Sequence, residues 1–119
     1  MLLPLALFIQ CSTPEYPYDP KLITTQTEIN FALTANRGIL STDGTVYFVS
    51  DSDPSTIVAY GNDTVLWQIN VSRECGPDIF NQAVRYIKLT PGNLEVVFSK
   101  HSFLTIARNT GQVTCQGRD

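Results

Sequence analysis

Histidine, basic residues and long apolar runs are scarce in this sequence, and each shortage excludes a class of protein. His101 is the only histidine, which rules out a metal site built from several histidines. Eight lysines and arginines stand against eleven aspartates and glutamates and form no basic run, so nothing indicates nucleic-acid binding. The longest apolar run, at residues 2–9, is shorter than the ~20 residues that span a bilayer as a helix. Walker, dinucleotide-binding and C-x-x-C motifs are also absent.

What is present indicates one small folded domain. The chain has 119 residues, of which 43% are hydrophobic and 16% are charged, and its formal net charge is -3. These values are typical of a globular, mildly acidic protein, and this length buries one modest core. We expect the domain to occupy residues 21–119, after a separate segment at residues 1–20.

The first twenty residues resemble an export signal followed by a tether. The run at 2–9 fits the hydrophobic region of a signal peptide, with a buried strand as the alternative. The sequence PEYPYDP at 14–20 fits a tether or a peptide that another domain recognises. Cys11 lies just after the apolar run, where a bacterial lipoprotein carries its lipidated cysteine. We therefore expect a secreted or extracytoplasmic protein, with a lipid-anchored lipoprotein as the alternative.

Two further features favour the same compartment. Cys75 and Cys115 could form one disulfide that closes a loop of about 40 residues; the alternative is two free thiols in a reducing cytosol. Asn62 and Asn70 begin the sequons NDT and NVS, which match the acceptor pattern for N-glycosylation. Both asparagines are candidate glycan sites.

An internal repeat organises the rest of the chain. At an offset of 48 residues, positions 39–67 align with positions 87–115 without a gap and with six identical pairs. Two turn sequences coincide in this alignment: TDGT with TPGN, and GND with NTG. The repeat predicts two units, at about 36–70 and 84–116.

Each unit has the pattern of a four-stranded antiparallel meander. In the first unit, RGILST, TVYFVS, STIVAY and TVLWQIN are β-forming runs separated by turn sequences. VRYIKLT, LEVVFS, FLTIA and QVTCQ repeat this order in the second. We also expect a strand within residues 21–34 and a loop or short helical turn at 71–83. TVYFVS and LEVVFS do not alternate cleanly, a pattern that a sheet covered on both faces would permit. The fold should be all-β.

The stretch DGTVYFVSDSDPSTIVAYGNDTVLWQINV resembles a repeat of the quinoprotein (pyrroloquinoline-quinone-type) β-propellers. The window 57–67 has the length of that family's tryptophan-docking motif, with Trp67 at the docking position. The window 105–115 contains the family's Thr-Gly turn but has Cys115 in place of the tryptophan. The resemblance covers about 80 residues and implies that Trp67 packs between neighbouring blades. An ordinary core tryptophan is the alternative.

Two units are too few to close a propeller ring, which needs at least about four blades. We therefore expect antiparallel four-stranded meanders that resemble an incomplete propeller, with an open two-sheet β-sandwich as the alternative. Further blades or a protein partner would complete the structure.

The chemistry of the resembled enzymes is not carried over to this chain. Their acidic base, calcium ligands and adjacent cysteines have no counterpart here. Asp51 and Asp53 begin like a calcium loop, but Thr56 stands where that loop needs glycine. His101 lies in a predicted turn without an acidic partner. We expect no catalytic residue, cofactor or metal site.

The function that this sequence favours is a non-catalytic exported β-repeat module for protein or ligand interaction. The alternatives are a fragment of a larger quinoprotein-like propeller enzyme and a lipid-anchored bacterial envelope scaffold.

Overall fold

A computed structural model describes residues 17–62, 64–76 and 83–118, and this part of the chain is almost entirely β-structure. A 3₁₀ turn at Pro20–Leu22 precedes the first strand, and the only other helix described there is α1 (Val71–Cys75). The strands are β1 (Ile23–Thr24), β2 (Glu28–Asn30), β3 (Gly38–Leu40), β4 (Val46–Val49), β5 (Thr56–Gly61), β6 (Thr64–Asn70), β7 (Val84–Leu89), β8 (Asn93–Phe98), β9 (Ser102–Ala107) and β10 (Val113–Arg118). Residues 1–16, including Cys11, lie outside the described part, as do the predictions made for them.

The strands form two five-stranded sheets that do not close into a barrel. The strand order is β1-β3-β4-β5-β6 in the first sheet and β10-β9-β8-β7-β2 in the second. Four consecutive strands in each sheet form an antiparallel meander. The all-β prediction is confirmed, and the arrangement is consistent with the open two-sheet alternative.

The segment before β3 contributes one strand to each sheet. β1 pairs with β3 in parallel, whereas β2 pairs with β7 in antiparallel orientation. The strand expected within residues 21–34 is therefore present as two short strands. This segment covers the β3 edge of one meander and the β7 edge of the other, and so links the two sheets.

One hydrophobic core draws side chains from both sheets. The faces that contribute to it are called the inner faces. Its fully buried members include Ile39, Tyr47, Val49, Ile57 and Ala59 from the first sheet, and Ile87, Leu94, Val96, Leu104 and Ile106 from the second. Both inner faces are apolar, which makes the two sheets layers of one structure.

The two sheets differ in how their opposite, outer faces are covered. All four residues of β4 are buried, so β4 is covered on both sides. In β8, buried positions alternate with exposed or half-buried ones, as in a sheet with one wet face. Cover on both faces therefore accounts for the sequence pattern of β4 but not for that of β8.

The gapless repeat alignment matches structurally equivalent residues in the first and last strands of the two meanders, but not in the two middle strands. The cross-strand row through Ile39 contains Tyr47, Ala59 and Trp67, and the row through Ile87 contains Val96, Leu104 and Cys115. The offset is 48 at both ends of these rows, but it differs in the two middle strands. Between the two middle strands the offset falls from 49 (Tyr47 to Val96) to 45 (Ala59 to Leu104), mainly because residues 50–55 separate β4 from β5 whereas only residues 99–101 separate β8 from β9.

Candidate functional site

Trp67 lies where the two sheets meet. Its side chain is 8% exposed, and its indole nitrogen donates to the carbonyl oxygen of Arg108 in the second sheet's β9–β10 turn, at 2.8 Å. Gly111 of the same turn has φ +79°, and a Cβ added there would lie 2.7 Å from the indole Cγ. The backbone at Gly111 thus packs directly against the ring. Trp67 has a packing role that joins the first sheet to the second.

The guanidinium of Arg108 connects two hairpin turns on the same side of the molecule. Its Nε donates to the Tyr47 hydroxyl at 3.0 Å, and its Nη2 donates to the Ser41 hydroxyl at 2.7 Å. Its Nη1 donates to the carbonyl oxygens of Thr90 and Pro91 at 2.9 and 3.0 Å. The β3–β4 turn of the first sheet is thereby tied to the β7–β8 turn of the second.

A cleft of about 770 Å³ opens beside this arginine. Asp43 lies at the cleft, with a carboxylate oxygen 3.6 Å from Arg108 Nη2. The Ser41 hydroxyl and the Thr45 backbone N–H both donate to this carboxylate, at 2.6 and 3.0 Å, and these bonds lower its pKa. Arg108 thus donates four hydrogen bonds to the protein itself and forms an ion pair with Asp43, so this arginine acts as a structural link.

The outer face of the first sheet carries an apolar row. This row crosses four strands and consists of Leu40, Val46, Tyr60 and Val65. The Tyr18 ring covers its middle, since it tilts against Tyr60 at 5.2 Å and stacks on Phe48 at 5.4 Å, measured between ring centroids. The two ends stay open, because Leu40 is 38% and Val65 is 56% exposed. The first sheet therefore presents apolar side chains on both faces.

The outer face of the second sheet is polar in the corresponding place. Its polar row crosses five strands and consists of Glu28, Lys88, Glu95, Thr105 and Thr114. Lys88 lies between the two glutamates, an arrangement of opposite charges that favours cross-strand pairing. All members except the half-buried Thr105 are exposed. The second sheet thus presents a polar row in the place where the first sheet presents an apolar one.

Cys75 and Cys115 form a disulfide. Cys75 ends α1, which follows the first meander, and Cys115 lies in β10, the last strand of the second meander. Their Cα atoms are 5.5 Å apart. The bond ties the segment that follows the first unit to the last strand of the second unit.

The two sequon asparagines have different surroundings. Asn62 is exposed in the β5–β6 turn, with φ +49°. Asn70 is half-buried and caps α1, because its Oδ1 accepts from the Arg73 backbone N–H at 3.0 Å. Its Nδ2 donates to the hydroxyl of Thr56 at 3.4 Å.

The acidic turn after β4 forms local bonds. The Asp53 carboxylate accepts from the Thr56 hydroxyl at 2.7 Å, and Asp51 lies 3.8 Å from the Arg37 guanidinium. His101 is exposed in the β8–β9 turn. Among the described residues, no three histidine, cysteine, aspartate or glutamate side chains are grouped as metal ligands, and no helix there is long and apolar enough to cross a membrane.

Three arginines that were not expected from the sequence hold turns in place. Arg37 donates to two carbonyl oxygens at the start of the β4–β5 turn, at 3.1 and 3.2 Å. Arg85 donates to two carbonyl oxygens of the β8–β9 turn, at 3.3 and 3.0 Å. These two are an identical pair at the offset of 48 and could have been found by extending the alignment two residues. Arg108 had no such signal, since Tyr60 occupies the equivalent position.

Comparison of the chain with family models, curated proteins and solved structures gave no match.

Proposed function

We propose that this chain is an exported, non-catalytic β module that binds another protein through the outer face of its first sheet. The observation that carries the proposal is the contrast between the apolar row of the first sheet and the polar row of the second. A polar outer face can end a stack of sheets in water, whereas apolar faces on both sides are typical of a layer between two others.

The chemistry of the row indicates the kind of partner. Leu40 and Val65 offer exposed aliphatic side chains, and the row contains no charged group that would need a counter-ion. The first sheet already binds one apolar sheet face on its inner side. The partner should therefore present an apolar β-sheet face, which packs at the sheet-to-sheet distance of about 10 Å.

The disulfide supports the exported location. Bonds such as Cys75–Cys115 persist in oxidising compartments and are rare in the cytosol. The signal-like residues before position 17 agree with this location, as does the alternative of a lipid anchor at Cys11. Labelling with radioactive palmitate tests that alternative, since it requires the label to enter at Cys11.

A photo-crosslinking amino acid at position 40 tests the proposal, with the same amino acid at position 105 as the control. Both positions lie on outer faces, but only the first belongs to the apolar row. In cells that produce the protein natively, we expect a defined crosslinked protein from position 40 and none from position 105. Equal crosslinking from both positions would contradict the proposal.

Binding of the purified crosslinked protein provides the quantitative test. Burial of a leucine contributes about 1.5–3 kcal/mol, so Leu40→Lys should weaken binding at least ~10-fold. Thr105→Lys should leave binding unchanged. Light scattering on the purified chain would show whether the partner is a second copy. The proposed face is refuted if the purified chain is a monomer and the crosslinked partner binds the Leu40→Lys variant as tightly as the native chain.

A second candidate function is that of a segment in a larger quinoprotein-like propeller. The contact of Trp67 with the Gly111 turn supports it, because the resemblance implies that a docking tryptophan packs against the next blade. This candidate predicts that the native transcript encodes further DGTVY…LW repeats after Asp119. A stop codon directly after that residue would eliminate it.

A further inference from the structure

An aromatic hollow lies beside the exposed sequon at the tip of the β5–β6 hairpin. Its lining residues are Pro17, Tyr18, Gly44, Tyr60 and Asn62, and its volume is about 160 Å³. The two tyrosine rings meet at 5.2 Å with an interplanar angle of 50°, so they form an angled apolar surface next to the asparagine. Partial burial raises the pKa of Tyr60, in keeping with the apolar surroundings of this ring.

We propose that Asn62 carries an N-linked glycan whose first sugar packs on Tyr18 and Tyr60, and that Asn70 is not modified. The proposal rests on the proposed export of the chain, because the transfer takes place in the secretory pathway. Sugar rings have C–H faces that pack on aromatic rings, and tyrosine adds a polar hydroxyl at the wet edge. The hollow places two such rings within reach of the Asn62 side chain.

The surroundings of Asn70 argue against the second sequon. A sugar on its Nδ2 would have to fit beside the contact of that nitrogen with Thr56, whose side chain is buried. It would also crowd the cap of α1, where the Asn70 Oδ1 binds the Arg73 N–H. A glycan there would disturb contacts of the folded structure, whereas a glycan on the exposed hairpin tip would leave them in place.

The transfer needs one co-reactant, an oligosaccharide linked to a polyprenyl pyrophosphate. The Asn62 Nδ2 attacks the anomeric carbon, and a carbon–nitrogen bond forms as the carbon–oxygen bond to the pyrophosphate breaks. The lipid pyrophosphate leaves with the bonding electron pair, and the amide nitrogen loses one proton. Thr64 supplies the hydroxyl that the acceptor pattern requires.

The glycan would also limit the docking face of the first sheet. Tyr60 belongs both to the hollow and to the apolar row, so a sugar there covers the row near Val65. The Leu40 end of the row stays open to a protein partner. The glycan should therefore leave crosslinking from position 40 intact.

The site is tested by expressing the full chain behind a heterologous secretion signal in a eukaryotic secretory host. Entry into the pathway then does not depend on the native N-terminus. Peptide mapping after enzymatic glycan release in heavy-oxygen water marks each modified asparagine. We expect the mark at Asn62 and not at Asn70, and we expect Asn62→Gln to abolish it while Asn70→Gln does not. A mark at Asn70, or a secreted disulfide-bonded protein without one at Asn62, would overturn the proposal.

The tyrosine contact has its own test. Removal of the glycan from the folded protein should lower Tm by about 4 °C. The same removal should have little effect in Tyr18→Ala and the full effect in Tyr18→Phe, which keeps the ring. Equal effects in both variants would show that the sugar does not pack on Tyr18. Glycan occupancy is measured by mass and partner binding by crosslinking, so either proposal can fail without the other.

Discussion

The indole nitrogen of Trp67 lies 2.8 Å from the carbonyl oxygen of Arg108, and this bond joins two sheets through residues 41 positions apart. The guanidinium of the same arginine donates to the hydroxyl of Tyr47, and the Tyr47 ring lies 5.8 Å from the tryptophan ring between centroids. Each of the three residues thus holds the other two in place. Substitutions at residues in such mutual contact are expected to have non-additive effects on the free energy of unfolding.

Gly111→Ala should be among the most damaging single substitutions in this domain. The new Cβ would lie 2.7 Å from the Trp67 ring at a backbone φ of +79°, so overpacking adds to the cost of the left-handed conformation. We expect a loss of about 3 kcal/mol or more in the free energy of unfolding, measured with urea. Gly44→Ala is the matched control, because Gly44 has φ +91° and no atom within 4 Å of an added Cβ; it should cost about 1–2 kcal/mol. Equal losses in the two variants would contradict the packing role of Trp67.

Arg108→Met should separate the two hairpin turns that this arginine joins. It leaves the Tyr47 hydroxyl and the Thr90 carbonyl oxygen without their charged donor, so we expect a loss of about 2–4 kcal/mol in urea unfolding. Arg85→Met removes hydrogen bonds at an exposed turn and should cost about 1 kcal/mol or less. A larger loss for Arg85 than for Arg108 would be inconsistent with this interpretation.

Replacement of Cys75 and Cys115 by serine should lower the free energy of unfolding by about 2–4 kcal/mol, because the unfolded chain gains conformational freedom. A reducing agent should bring the native protein down to the stability of the double variant and leave the variant unchanged. If the reductant destabilises the variant equally, the effect has another origin.

Asp43→Asn should change how stability depends on pH. The Ser41 hydrogen bond, followed by that from Thr45, lowers the pKa of Asp43 below its ordinary value of 3.8. A carboxyl whose pKa is lower in the folded state than in the unfolded state stabilises the fold at pH values above its unfolded-state pKa. This contribution is lost as the pH falls through its folded-state pKa. The stability difference between the native protein and the variant, measured by urea unfolding, should therefore shrink below about pH 3.8. A difference that is the same in acid as at neutral pH would show that Asp43 acts without its charge.

The strands, their antiparallel order within each unit and the cysteine pair could be predicted because these features depend on local patterns. Runs such as STIVAY are too β-branched and too short for helices, and the intervening Asp, Asn, Gly and Pro residues favour turns. The pairing of Cys75 with Cys115 could be predicted because these two cysteines are the ones that remain once Cys11 is set aside. A packing role for Trp67 was also expected, because the resemblance to quinoprotein repeats places this residue at the family's docking position.

The sequence by itself determined that this chain forms two meanders of β-strands and which residues end them. Only the tertiary structure decided which side chains share a row, because rows join residues from distant strands and shift when one turn is three residues shorter. The apolar row with Leu40 and the polar row with Lys88 arise in this way, as does the position of Arg108 between two turns. Alternation along one strand distinguishes its two faces, but which face meets another layer depends on the packing of the whole chain.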